Sequence, residues 1–255
     1  MEMNEIVLVA VAAAASSIIK NGAAIGSGVF LVPVLAMMFP PKIALGLGAP
    51  IMLASDIVGL WNYWGEWRNH AHDVLRLIAM GFFGILLGAY FIHIIPSDIF
   101  KKGIGLFAIG FSTYQFLKDS GVIRTGGHNK GAGHQAQSDW RAWLPIGFLG
   151  GIATVLAHAG GMVWSTYFVG RQLEKRVLVS SLILLFSMSD FMKVLAYMHL
   201  GILSMESNII VLCMIPIVIL SSNFGNMLNK RIHPVHFRRV VLLLIVAVGV
   251  NLLVT

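Results

Sequence analysis

Two stretches decide how this chain is read. The first is Lys20-Asn21-Gly22-Ala23-Ala24-Ile25-Gly26-Ser27-Gly28, which runs into the apolar segment 29–38 with Pro33 inside it. The second is His158-Ala159-Gly160-Gly161, which runs into the apolar segment 162–169. Each follows a run of small and apolar residues, 10–17 and 146–156. Glycine disfavours a continuous helix by about 1 kcal/mol relative to alanine. A polar residue beside it at membrane depth needs a protein or water partner. Both stretches are therefore expected to interrupt a helix and leave two short pieces.

That reading presumes a bilayer, and the composition supplies one. Of 255 residues, 57% are apolar and 11% are charged, against about 25% charged in a soluble domain. The mean hydropathy is +0.82. A water-soluble globule, a disordered chain and a nucleic-acid-binding domain are excluded together. The net charge of +7 lies between the apolar stretches, where the positive-inside rule puts it. Cys213 stands alone in an apolar run, so no internal disulfide is expected. Glu2 and Glu5 make the leading segment acidic, so the first apolar run reads as a retained span rather than a signal peptide.

Further apolar windows fall at 43–64, 77–95, 103–117, 142–169, 178–198, 207–229 and 240–255. At roughly 20 residues per span, the chain has room for about eight to ten crossings. The widest hydrophilic gap is 118–141, rich in glycine and histidine. A repeat flanks it. Gly28 pairs with Gly161 and Lys42 with Lys175 at an offset of 133, and Asp56 with Asp190 and Tyr63 with Tyr197 at 134. Gly88 pairs with Gly225, and Phe100-Lys101-Lys102 with Phe237-Arg238-Arg239, at 137. The expected organisation is an N-terminal membrane repeat (1–117), a cytoplasmic connecting loop (118–141) and a C-terminal membrane repeat (142–255). The expected fold class is an all-α integral membrane protein of two inverted repeats, each of four to five transmembrane segments and each opening with a broken or re-entrant helix.

Charge counting selects the inverted arrangement. It gathers thirteen lysines and arginines on one side and three (Lys42, Lys101, Lys102) on the other, whereas parallel halves would split them ten to six. The rule that cationic loops stay inside favours thirteen to three and sets both termini outside. The aromatic cluster 61–67 lies where an interfacial belt is expected.

A half-helix starting near Gly28 or Gly161 presents unpaired amide N–H groups, and its dipole favours an anion there. Two such starts related by an in-plane twofold would aim at one midplane point. Gly26, Gly28, Gly160 and Gly161 would let backbone approach the ligand, and Ser27 and His158 would add donors. Lys20, about fifteen residues into the first span, is costly to bury without a counter-charge or an anionic ligand, and Asn21 beside it offers a second donor. Asp56 and Asp190 are paired carboxylates, each with a tyrosine two turns later on the same face. Lys193 follows Asp190 by one turn and can pair with it, while Gly59 holds the matching place after Asp56. These three serve either proton coupling or structural ion pairing. His128 and His134 read as solvated linker, so no metal site is expected. With no Ser/His/Asp motif, phosphate-cradling loop or CxxC pair, neither an enzyme site nor a cofactor is expected.

The duplicated glycine-rich stretch followed by an apolar run with Pro33, the pattern Lys42, Ala44, Gly46, and the Phe-Lys-Lys ending of the first half, matched by Phe-Arg-Arg in the second, resemble the sulfite exporter TauE/SafE family over nearly the whole chain. The resemblance implies a bacterial inner-membrane permease for small sulfur-containing anions such as sulfite and organosulfonates. Its partners would be a small anionic substrate and the lipid bilayer, with a homodimer left open and no nucleic acid. An anion expelled alone down an inside-negative potential gains about 2.3 kcal/mol per 100 mV, so export needs no coupling ion. A passive anion channel, and a proton-coupled importer of a related anion, are the other readings.

Overall fold

The computed structural model describes residues 3–23, 28–120, 140–169, 173–203, 205–229 and 234–254. Gly26, Ser27, His128 and His134 lie outside them. Among the described residues the chain is helical without strands. The helices are α1 (Met3–Ala23), α2 (Gly28–Leu35), α3 (Pro41–Asn62), α4 (Ala71–Ile94, entered through a 3-10 turn at Arg68–His70), α5 (Ser97–Asp119), α6 (Trp140–Ala157), α7 (Gly160–Val169), α8 (Lys175–His199), α9 (Met205–Asn229) and α10 (Pro234–Val254).

The boundaries follow local chemistry. Pro41 and Pro234 open α3 and α10, where a missing N–H costs nothing. α8 closes on Gly201 at φ +67, with the Ile202 amide donating to Tyr197 O (2.9 Å) and the Gly201 amide to Met198 O (3.2 Å). This is a Schellman ending, in which a left-handed glycine lets the chain satisfy two terminal carbonyls. α4 starts six residues ahead of the apolar window at 77, because Asp73 is buried there and accepts the Tyr167 hydroxyl at 3.3 Å.

Among the described residues, four segments are long and apolar enough to cross a membrane: Pro41–Asn62, Arg68–Ile94, Arg176–His199 and Ile209–Leu228. Side chains such as Phe83, Tyr90, Leu106, Leu212 and Leu220 are exposed on α4, α5 and α9, an apolar surface that a lipid environment accommodates and water does not. α2 and α7, at eight and ten residues, extend only about 12 and 15 Å. These described lengths are shorter than a hydrocarbon layer of about 30 Å. Every residue of α2 is buried.

The principal helix contacts are α4 on α6, α1 on α9, α5 on α10 and α3 on α8, followed by α6 on α7, α3 on α9 and α4 on α8. Glycine makes the closest approaches. On α4 and α6, Gly84 lies against the Phe148 carbonyl and Gly81 against Gly151, so a methyl group at Gly84 or Gly151 would meet backbone. Small residues that let backbones touch are how helices associate where lipid competes equally well for apolar side chains.

Candidate functional site

α6 stops at Ala157 and α7 begins at Gly160. The His158 amide donates to Thr154 O at 3.0 Å and closes the last turn of α6, and His158 itself adopts φ +50. The left-handed backbone redirects the chain, and histidine tolerates it better than most side chains. The Ala159 carbonyl then accepts the Met162 amide (3.1 Å) to start α7. Across from this point lies the start of α2. A Cβ on Gly28 would collide with the Cβ of His158 and sit 2.6 Å from its carbonyl oxygen. Only glycine permits that approach.

A cavity of about 20 Å³ opens at this junction, room for about one water molecule. Lys20, Gly28, His158, Gly161, Asp190 and Lys193 line it, and Met52, Thr154 and Phe186 complete the wall. Lys20 Nζ lies 2.6 Å from Asp56 Oδ1 and 3.3 Å from Asp190 Oδ2, and Lys193 Nζ lies 2.5 Å from Asp190 Oδ1. These four residues are 1–4% exposed. Isolated charges at such depth would cost several kcal/mol each, and mutual pairing offsets most of that. Lys20 also approaches Met52 O at 3.4 Å and stands 5.4 Å from the centre of the Phe186 ring. Lys193 donates to Thr154 O (3.4 Å), and the Tyr197 hydroxyl donates to Val155 O (2.9 Å). Both ring nitrogens of His158 are buried with no hydrogen-bond partner among the described residues.

Two of the residues expected at the site stand elsewhere. Asn21 turns away from the cavity and donates to Ser17 O (3.1 Å) and Ser55 Oγ (3.0 Å), while Ser55 and Ser222 share a 3.1 Å hydrogen bond. This polar thread joins α1, α3 and α9 beside the charged group. Gly160 sits against Thr154 and the Gly150 carbonyl, where it admits α7 onto α6. Gly26 and Ser27 lie outside the described residues.

Sequence reasoning missed Met52, Thr154 and Phe186. Met52 precedes Asp56 by four residues and Phe186 precedes Asp190 by four, so each stands one turn below its aspartate on the same face. Thr154 stands 134 residues after Lys20, the offset that relates the aspartates. Among the described residues no cluster of three His, Cys, Asp or Glu could hold a metal ion.

Long apolar helices enclosing two lysines, two aspartates and a histidine without a partner among the described residues define a multi-pass membrane protein with a small buried polar site. The family model described as Sulfite exporter TauE/SafE matches residues 8–252, and the chain belongs to that family. Its members are transporters and not enzymes. No curated protein and no solved structure matches the chain.

Proposed function

We propose that the protein is a secondary transporter that exports small anions such as sulfite or organosulfonates, held between the starts of α2 and α7. The observation that carries this reading is the meeting of Lys20, Lys193 and the unpartnered His158 ring on one buried cavity where those two short helices begin. The amides at their N-termini have no intrahelical acceptor and suit oxyanion oxygens. An arriving anion takes over Lys20 from Asp190, the longer of the two Lys20 contacts, while Asp190 keeps Lys193.

The two halves, 1–117 and 142–255, form inverted repeats with interrupted first helices, a cytoplasmic connection at 118–141 and both termini outside a bacterial inner membrane. In support, exchanging α1–α5 for α6–α10 maps α4 on α6 onto α9 on α1, and α3 on α9 onto α8 on α4. Gly88 of α4 sits against Val155 of α6, and its counterpart Gly225 of α9 sits against Ile18 of α1. A cavity with room for about one water favours a carrier that opens to each side in turn over a continuous channel.

The test is flux of labelled sulfite and of a sulfonate in proteoliposomes. Saturable flux that Lys20→Ala and Gly161→Leu each abolish is the expected result. Wild-type rates in both variants refute the site, and flux linear in concentration refutes the carrier.

A further inference from the structure

The charged groups at the cavity already balance. Lys20 is committed to Asp56 at 2.6 Å and Lys193 to Asp190 at 2.5 Å, so two positive and two negative charges sum to zero before any guest arrives. An anion added to this set leaves an uncompensated buried negative charge, which the low-dielectric interior makes costly. The charged groups facing His158 are Lys20 from α1 and Asp190 and Lys193 from α8, and Asp56 from α3 is paired with Lys20. α2 and α7 bring no charged side chain to the cavity, and the Tyr197 hydroxyl is occupied by Val155 O. Among the described residues lining the cavity, only His158 has both of its polar side-chain atoms unengaged. Without a guest, an imidazolium would stand beside two ammoniums with no acceptor among the described residues for either N–H. With an anion in the cavity, that acceptor is present.

We propose that His158 takes up one proton from bulk water as the anion enters and returns it when the anion leaves, so that the cargo is bound as an anion together with a proton. The inference rests on the anion site proposed above and adds what balances its charge. The proton lands on whichever ring nitrogen lacks one, so that both carry N–H groups and one of them donates to the anion. The loaded group of five side chains and a monoanion again sums to zero. The membrane potential therefore no longer drives the crossing, and export follows the gradients of anion and proton.

The experiment uses the purified full-length chain in weakly buffered detergent solution. Methanesulfonate serves as the probe because its charge is fixed across the neutral range, with sulfite run in parallel for affinity. Proton uptake is read with an indicator dye and by calorimetry in two buffers of different ionisation heat. In mildly alkaline solution the wild type takes up about one proton per methanesulfonate bound, and its Kd rises about tenfold per pH unit. His158→Asn, chosen because asparagine tolerates the left-handed backbone at this position, binds without uptake and with a pH-independent Kd. Wild-type binding without proton uptake overturns this inference and leaves the anion site standing, as does uptake that persists in His158→Asn. Failure of the wild type to bind either probe removes the site itself and the inference with it.

Discussion

Asp190→Asn removes the one carboxylate that two lysines share. Lys20 keeps Asp56 at 2.6 Å, so it is not orphaned. Lys193 loses its 2.5 Å counter-charge and, 1% exposed, is left with neutral acceptors such as the Thr154 carbonyl at 3.4 Å. The variant thus creates one unpaired buried charge, for which about 3–5 kcal/mol of destabilisation is expected. Lys193→Met alone costs less, because Asp190 retains Lys20 at 3.3 Å. The double variant Asp190→Asn/Lys193→Met removes the orphan together with its cause. It should recover about 2 kcal/mol or more relative to Asp190→Asn, a strongly non-additive cycle of the kind expected for groups in contact. Reversible unfolding in mixed micelles by dodecyl sulfate titration measures all four proteins. If Asp190→Asn unfolds within about 1 kcal/mol of wild type, or the double variant costs the sum of the singles, the ion pairs do not hold this core and the reasoning is refuted.

Gly28→Ala places a methyl group against the Cβ and carbonyl of His158; it should cost about 1–3 kcal/mol and suppress anion flux, whereas Gly110→Ala on α5, with nothing within 4 Å, should be neutral or slightly stabilising in a thermal-shift assay. Tyr167→Phe removes the 3.3 Å hydrogen bond to buried Asp73 and should lower stability by about 1 kcal/mol, read by the same titration. Arg176→Ala breaks a 3.4 Å pair with Glu66 in which the arginine is 64% exposed; a change of about 0–1 kcal/mol, shrinking further in salt, is the expected outcome.

The apolar windows exposed the helices because lipid-spanning segments announce themselves by composition, and the windows at 43–64, 178–198 and 207–229 lie close to α3, α8 and α9. The first turns of α4 were hidden because Asp73 and Arg76 read as loop, although buried Asp73 is held by Tyr167, 94 residues away. At the site, the pairing of Lys193 with Asp190 was legible from an i, i+3 spacing. The contact between Lys20 and Asp190 spans 170 residues, and no local pattern encodes it. Asn21 stands off the cavity because successive helical residues point about 100° apart, so the neighbour of a cavity residue faces elsewhere, and Gly160 beside Gly161 is placed in the same way. Met52 and Phe186 gave no sign on their own, since a methionine and a phenylalanine in an apolar helix look the same whether they face lipid, core or cavity.

Aligning the two aspartates sets Lys20 opposite Thr154 and Lys193 opposite Gly59, so the acids are matched between the halves while the bases are not. Restoring symmetry at Gly59 would also require neighbouring side chains to give way, because a Cβ there would lie 3.0 Å from the Asn21 side chain and 3.1 Å from Ile183. For a guest held between these lysines, departure toward one face and departure toward the other break different sets of bonds. The two exits then differ in their barriers, while the net direction of transfer is left to the gradients across the membrane.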